Sequence, residues 1–388
     1  MRIFIKSAIL LAMMTPFLAN AQETVKVGIA NDLSGPFSAL GAEARDGFNL
    51  AIKQLGGKLG GQPAEFLQTD MGGSPDQARQ LVNRYLQRER IDFFTGPIGS
   101  NVALAVGPAL FGAKVPFLSN NPGPSQLAGA QCNPYWFGLA YQNDAIHSAA
   151  GKVAADRGHK KPFIIAPDYP AGKDALNGFK QGYAAPVTEE LYTRLGQIDY
   201  AAELAQIRAA APDAVYIFLP GGMGINFVKQ FVAAGLNQSI TLIGPGFSAD
   251  EDVIQAVGDA MIGMLNTSQW AHDLDAPANK AFVEAFRKEY SGRNPSMYAA
   301  QAYDAIMAMD AAVRQAGGAK DREAVRAALV KADFESVRGP FQYGNNNYPI
   351  QDYYVREVVK GADGRLTNKL VGTVYDDYQD VYAKLCKL

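Results

Sequence analysis

Short apolar runs alternate along this chain with segments in which apolar side chains recur every three or four residues. The runs have the length of strands and lie at 24–30, 64–69, 91–95, 115–118, 162–166, 213–219 and 241–244. The periodic segments are typical of helices and lie at 42–55, 75–88, 144–157, 201–210, 225–234, 277–290, 299–316 and 323–331. Strands that alternate with helices predict an α/β fold, with parallel central sheets and helices on both faces.

The stretch from Ile91 to Leu127 carries the clearest candidate for a binding site. A strand is followed by a Gly-Pro-Ile-Gly turn, by Ser100 and Asn101 at the start of a helix, and by a second strand that leads to Asn121, Pro122 and Gly123. Free N–H groups at the start of a helix favour an anion such as a carboxylate, and ligands of open parallel sheets bind at the carboxyl ends of strands. The alternative is an ordinary capped helix in an α/β domain.

The chain is long for a single core, which favours two domains. Residues 75–96 and 200–221 repeat one order of features, in which a helix is followed by an acidic residue, a strand and a glycine turn. This weak repeat favours two domains of similar construction. No long flexible linker is evident, so several short connections fit better than one.

The N-terminus resembles a secretory signal peptide. A basic start is followed by the apolar run 7–18 and by the Ala-Asn-Ala sequence that ends at Ala21. The alternative, a membrane anchor, is disfavoured because a span needs about 20 apolar residues. Cleavage after Ala21 predicts a soluble periplasmic protein, in which Cys132 and Cys386 either form a disulfide or remain free thiols.

Charge and motifs exclude several classes of function. Cleavage after Ala21 leaves 34 basic against 38 acidic residues, so we expect neither nucleic acid nor an anionic membrane as a partner. The spacings typical of zinc sites, of dinucleotide loops and of the serine-hydrolase elbow do not occur. We therefore predict no metal, no cofactor and no catalytic residues, and we expect a monomer.

Several short motifs, taken in order, are similar to those of a known family. They are Val27-Gly-Ile29, Asp32-Leu-Ser-Gly-Pro36, Asp70 with Ser74-Pro75, Gly96-Pro-Ile-Gly-Ser100, Val115-Pro-Phe-Leu-Ser119, Gly244-Pro245 and Gly258-Asp-Ala-Met-Ile-Gly-Met264. The chain resembles the periplasmic leucine/isoleucine/valine-binding proteins, the type I solute-binding subunits of ABC importers. The resemblance covers essentially the whole chain after residue 21.

This resemblance implies two Rossmann-like lobes that are joined by a three-strand hinge and close on a ligand, which is then delivered to a membrane permease. We place the first lobe at 22–141 plus 270–342 and the second lobe at 142–269 plus 343–388. Ser100 matches the family serine that holds the ligand carboxylate, and Asn121, Pro122 and Gly123 occupy the adjoining loop.

The chain departs from the amino-acid-binding members at two positions. The acidic residue that pairs with a ligand ammonium is replaced by Gly246, and the usual tyrosine of the second-lobe loop is replaced by Ala171. A buried ammonium without a carboxylate is costly. Tyr141, Tyr169, Phe247 and Trp270 are expected to make the cleft aromatic instead.

We therefore predict an aromatic carboxylate as the ligand, similar to benzoate or a hydroxycinnamate, as in the aromatic-acid-binding branch of the family. Asp168 is a candidate acceptor for a ring hydroxyl, and Lys173 or Arg45 is a candidate to assist at the carboxylate. The alternatives are a branched-chain amino acid or amide ligand and, from another class, a secreted hydrolase. For three of these residues the alternative is structural: Asp168 and Lys173 on the surface, and Trp270 packed in the hinge.

Overall fold

The computed structural model describes residues 23–388, so the predicted signal peptide lies outside the described residues. Its helices are α1 Ser38–Gln54, α2 Pro75–Arg84, α3 Ser100–Gly112, α4 Ser125–Ala128, α5 Asn143–Asp156, α6 Pro170–Tyr183, α7 Ala201–Ala210, α8 Gly222–Ala233, α9 Glu251–Val257, α10 Pro277–Glu289, α11 Met297–Ala316 and α12 Arg322–Lys331. Its strands are β1 Val25–Asn31, β2 Lys58–Leu59, β3 Gln62–Asp70, β4 Phe93–Thr95, β5 Phe117–Leu118, β6 Trp136–Phe137, β7 Pro162–Pro167, β8 Glu189–Thr193, β9 Ala214–Ile217, β10 Thr241–Pro245, β11 Leu265–Ser268, β12 Gln342–Tyr343, β13 Pro349–Lys360 and β14 Leu366–Tyr378.

The first sheet has the order β2-β3-β1-β4-β5-β6. Strand β1 pairs in parallel with both β3 and β4, and only the short β2 runs antiparallel. Helix α1 packs closely against α11, since a Cβ at Gly47 would lie 2.1 Å from the carbonyl oxygen of Ala299. The late helix α11 therefore belongs to the same half of the molecule as the early helix α1.

The second sheet has the order β12-β13-β11-β10-β9-β7-β8, and β14 pairs with β13. Strands β8, β7, β9, β10 and β11 are parallel, whereas the hairpin of β13 and β14 is antiparallel. Every residue of β7 and β9 is buried, as expected for central strands with helices on both faces.

The chain passes between the two sheets three times, after β6, after β11 and after α12. This is the predicted two-lobed α/β architecture, and the fold class is confirmed. The residue boundaries assigned above to the two lobes stay a prediction. Among residues 23–388, none of the helices has the length and apolarity that crossing a bilayer requires.

A disulfide joins Cys132 to Cys386, with 5.7 Å between the Cα atoms. The C-terminal segment is thereby tied to the loop that precedes β6. The side chain of Asn346 strengthens this connection, because it donates to the carbonyl oxygen of Ala128 at 2.9 Å and to the carboxylate of Asp380 at 2.8 Å.

Candidate functional site

The loop between β4 and α3 is held in place by buried side chains. The carboxylate of Asp32 accepts from the N–H of Ile98 at 2.8 Å, and the amide oxygen of Asn120 accepts from the N–H of Gly96 at 3.0 Å. Gly96 has a φ of +115°, and a Cβ there would lie 2.6 Å from the oxygen of Ala30, so only glycine fits. Gly99 occupies the cap position, and no side chain caps the helix.

Ser100 is the first residue of α3, and its side chain is buried. Its hydroxyl oxygen accepts a hydrogen bond from the side-chain amide of Asn143 at 3.2 Å, which leaves the hydroxyl proton free to be donated. The first N–H groups of a helix have no partner within the helix. The hydroxyl of Ser100 and the free N–H groups at the start of α3 together form a cluster of hydrogen-bond donors that favours an anion.

Asn121 and Tyr141 form a fixed polar pair beside Ser100. The amide of Asn121 donates to the carbonyl oxygen of Ile98 at 2.8 Å and accepts from the hydroxyl of Tyr141 at 2.9 Å. Burial raises the pKa of Tyr141 well above its usual value, so this phenol stays neutral. These hydrogen bonds therefore fix the orientations of the Asn121 and Tyr141 side chains without a ligand.

Pro122 and Gly123 hold the loop beside Ser100 in place through their backbone groups. The carbonyl oxygen of Pro122 accepts from the hydroxyl of Ser119 at 2.5 Å, and the N–H of Gly123 donates to the side chain of Asn143 at 2.9 Å. A Cβ at Gly123 would lie 2.0 Å from the oxygen of Tyr141, so the two chain segments meet only because residue 123 is glycine.

Aromatic rings form the opposite wall. Tyr169 stacks on Phe218 with ring centroids 6.3 Å apart and planes 9° apart, and Phe37 of the first lobe lies 6.2 Å from Tyr169. Phe247 lies 5.4 Å from Phe218 and 5.4 Å from the ring of Tyr141. Such rings offer flat apolar surface to a ligand of similar shape.

Two further polar groups lie among these rings. The hydroxyl of Tyr298 is fully buried and has no hydrogen-bond partner within residues 23–388. His147 bonds through Nδ1 to the hydroxyl of Tyr216, and burial lowers its pKa to about 3, so the imidazole is neutral. Neither group supplies a charge.

These groups line a cavity of about 10 Å³ in this structure, which is room for about one water molecule, so a ring-sized ligand requires the walls to move apart. The lining residues are Phe37, Leu40, Ile98, Ser100, Asn121, Tyr141, Asn143, His147, Tyr169, Ala171, Phe218, Pro220, Phe247 and Tyr298. This lining contains neither a carboxylate nor a lysine or arginine. It is an aromatic cavity with a cluster of neutral hydrogen-bonding groups.

The structure brings together five of the residues singled out from sequence, namely Ser100, Asn121, Tyr141, Tyr169 and Phe247. It places Asp168 outside the cavity. This side chain is exposed and pairs with Lys173 at 3.3 Å on the surface, because it points away from the cleft that its neighbour Tyr169 lines.

Trp270 is also outside the cavity. Its indole N–H donates to the side chain of Asn279 at 2.8 Å and its ring packs on Phe282, so it belongs to the second passage between the sheets. Arg45 is outside as well, since it pairs with the neighbouring Asp46 at 3.0 Å. Neither side chain contributes to the lining.

Several lining residues were not identified from sequence. Phe37 and Phe218 follow the carboxyl ends of β1 and β9, so the rule that identified Ser100 would have found them. Asn143 and His147 come from the start of α5, which follows the first passage between the lobes, and Tyr298 comes from the first turn of α11. No feature of the sequence marked those helix starts as part of a site.

A second cavity, of about 880 Å³, lies between the start of α9, the end of α10 and the start of β14. Its wall is charged and includes Glu43, Glu251, Asp252, Arg287, Arg293 and Arg365. The smaller cavity is the better candidate, because it lies at the strand ends and combines a helix start with aromatic walls. Residues 23–388 contain no cluster of His, Cys, Asp and Glu suited to a metal ion.

Comparison with known proteins places this geometry in a family. The sequence profile of the periplasmic binding proteins matches residues 24–364. A Leu/Ile/Val-binding protein homolog 6 of Brucella melitensis is 30% identical over 361 residues, which are 90% of this chain and 92% of the relative.

Solved structures give the same result. A solute-binding protein of an ABC transporter from R. palustris, in complex with benzoate, is 32% identical with a TM-score of 0.88 over 94% of this chain and 100% of that one. Another, from Rhodopseudomonas palustris BisB5 with 3,4-dihydroxybenzoic acid, is 30% identical with a TM-score of 0.85 over 92% and 99%. The chain therefore belongs to the periplasmic binding protein family.

Proposed function

We propose that this chain is the solute-binding protein of an ABC importer and that it captures small aromatic carboxylates of the benzoate type. The observation that carries the proposal is the cavity itself, in which Ser100 at a helix start faces stacked aromatic rings and no lining side chain is charged. The ligands named for the two similar solved proteins, benzoate and 3,4-dihydroxybenzoic acid, have this chemistry.

The carboxylate end of the ligand fits the donor cluster at Ser100. The hydroxyl group, the first N–H groups of α3 and the helix dipole all favour a negative charge there. An amino acid would bring an ammonium group as well, and a buried ammonium without a carboxylate partner costs several kcal/mol. The lining offers no such partner, so the branched-chain amino acid alternative is disfavoured.

The ring of the ligand fits the aromatic wall, and a ring hydroxyl would satisfy Tyr298. An unpaired polar group in a buried site costs free energy until it finds a partner. A phenolic hydroxyl on the ligand can bond to the hydroxyl of Tyr298, and so takes the role predicted for Asp168. This favours hydroxylated benzoates over benzoate itself.

We also propose export to the periplasm with cleavage after Ala21, delivery of the ligand to a membrane permease, and no catalysis by this chain. The family is periplasmic, which supports the location. The hydroxyl of Ser100 bonds to the amide of Asn143 and the Nδ1 of His147 bonds to Tyr216, so the cavity lacks the serine–base pair that a hydrolase requires.

Isothermal titration calorimetry on protein stripped of ligand by unfolding and refolding tests the proposal. The series is benzoate, 4-hydroxybenzoate, benzamide and leucine at pH 7. We expect 4-hydroxybenzoate and benzoate to bind, benzamide to bind at least tenfold more weakly, and leucine not to bind measurably. Leucine binding more tightly than both benzoates, or benzamide equalling benzoate, would contradict the proposal.

A further inference from the structure

A buried carboxylate lies directly behind the proposed anion site. The side-chain amide of Asn143 donates to the hydroxyl oxygen of Ser100 at 3.2 Å and to the carboxylate of Asp174 at 2.9 Å. A ligand carboxylate that accepts from Ser100 would therefore be connected to Asp174 through two side chains. Asp174 is 5% exposed, so little solvent separates the two negative charges.

Asp174 also bridges the two halves of the molecule. It lies on α6, and it accepts from the hydroxyl of Ser125 at 2.7 Å and from the N–H of Ser125 at 3.1 Å at the start of α4. Because α4 lies between β5 and β6 of the first sheet and α6 follows β7 of the second, these bonds join the two halves of the molecule. The carboxylate of Asp174 therefore contacts both Asn143, which bonds to Ser100 at the proposed anion site, and Ser125, which belongs to the other half of the molecule.

The ionisable groups around Asp174 are acids and phenols. Asp144, on α5, is bonded through one oxygen to Gln142 at 2.9 Å, and its other oxygen has no partner within residues 23–388. Asp380 faces the pair from the C-terminal segment, together with the phenol of Tyr382. The phenols of Tyr169 and Tyr348 also lie near Asp174, and the described residues form no salt bridge to any of the three carboxylates.

Burial is the main reason why the pKa values of Asp144 and Asp174 are raised. Burial, followed by the nearby charge of Asp174, raises the pKa of Asp144 to about 8. Burial also raises the pKa of Asp174, although hydrogen bonds from Ser125 and Asn143 oppose the effect. The two acids form a coupled pair, so the proton is best assigned to the pair and not to one residue.

We infer that capture of a carboxylate at Ser100 is coupled to the uptake of one proton from solvent by the pair Asp144 and Asp174. The inference rests on the proposed function. An anion placed at Ser100 adds a negative charge to a buried region that already holds two ionisable acids and no basic partner. The proton removes one of those charges, while Asp174 still accepts from Ser125 and Asn143.

The direction of the pH dependence follows from this coupling. Below about pH 7 the pair already holds its proton in the free protein, so affinity should be flat. Above about pH 8 the free protein has lost that proton and must regain it on binding. Affinity should therefore fall by about tenfold between pH 7 and pH 9, a range in which benzoate itself stays ionised.

Calorimetry with benzoate at pH 7, 8 and 9, in buffers with different enthalpies of ionisation, measures both quantities directly. For the wild-type protein we expect uptake to rise toward one proton per ligand at pH 9, together with about tenfold weaker binding than at pH 7. Asp144→Asn, which leaves the bonds of Asp174 to Ser125 and Asn143 in place, should bind within a few-fold of wild type at pH 7 and lose both the uptake and the pH dependence. Asp168→Asn, an exposed neighbour outside the cavity, is the matched control and should behave as wild type.

The outcomes separate this inference from the proposed function. Benzoate that binds wild-type protein with no proton uptake at pH 8 or 9 would overturn the inference and leave the proposed function intact. No benzoate binding at any pH would overturn both. Because wild-type uptake decides the question by itself, the test stands even if Asp144→Asn folds poorly.

Discussion

The hydroxyl group of Ser100 is the smallest group whose removal tests the anion site. In Ser100→Ala the helix start and the aromatic wall remain, and only one donor is lost. Asn143, which donates to that hydroxyl at 3.2 Å, keeps its stronger contact with Asp174 at 2.9 Å. We therefore expect the free energy of unfolding to change by less than about 1 kcal/mol.

The loss of affinity can be estimated from the charge of the ligand. A hydrogen bond to an ionised group contributes about 1.5–3 kcal/mol, which corresponds to about a 10- to 150-fold change in Kd. The first N–H groups of α3 remain available, so the lower half of that range is expected for benzoate. For neutral benzamide the same substitution should cost less than about tenfold, because a neutral hydrogen bond contributes about 0.5–1.5 kcal/mol.

Calorimetry of both ligands with Ser100→Ala and with the control Asn101→Ala measures these effects. Asn101 follows Ser100 in the same helix but does not line the cavity, so its replacement should leave both affinities within about threefold. Two results for Ser100→Ala would refute the placement of the carboxylate at Ser100. One is binding of benzoate as tight as in the wild type, and the other is a loss of affinity for benzamide as large as the loss for benzoate.

Three further predictions concern selectivity and stability. In calorimetry, Tyr298→Phe should weaken the binding of 4-hydroxybenzoate by about three- to tenfold and leave the affinity for benzoate unchanged. Replacing Cys132 and Cys386 by serine should lower the free energy of unfolding in urea by up to about 5 kcal/mol, because the disulfide links residues 254 positions apart. Gly123→Ala should cost on the order of 3 kcal/mol by overpacking, whereas the control Gly112→Ala, with open space around it, should not destabilise the protein in thermal unfolding.

The sequence was most informative where an element carries a clear pattern of apolar positions. The segment 201–210 was predicted as a helix and is α7, and the apolar run 162–166 is β7 within one residue. By contrast, β14 was missed. It pairs only with β13 and several of its side chains are exposed, so its sequence can be polar and shows no buried-strand run.

The same physical limit applies to the site. Ser100 and Asn121 follow strand ends, where parallel topology collects side chains at one edge, so their positions could be inferred without a structure. Tyr298 enters from α11, nearly 200 positions later, and only tertiary packing brings it to Phe247, with ring centroids 6.0 Å apart. The loop of Asp168 and Tyr169 does reach the cavity, but sequence could not tell which of two adjacent side chains faces inward.

Position 246 shows that the lack of a partner for a ligand ammonium is built into the packing. The resemblance to amino-acid-binding relatives places their acidic residue here, but a Cβ at Gly246 would lie 2.8 Å from the sulfur of Met297 and 2.9 Å from Nη2 of Arg356. Arg356 is itself buried, and it pairs with Asp250 at 3.7 Å and bonds to Asn266 at 2.9 Å. The space that an acid would need is thus filled, and the nearest charged group is a guanidinium. An acidic side chain at position 246 would have to displace Met297 or Arg356, which is a physical reason for the cavity to lack a partner for a ligand ammonium.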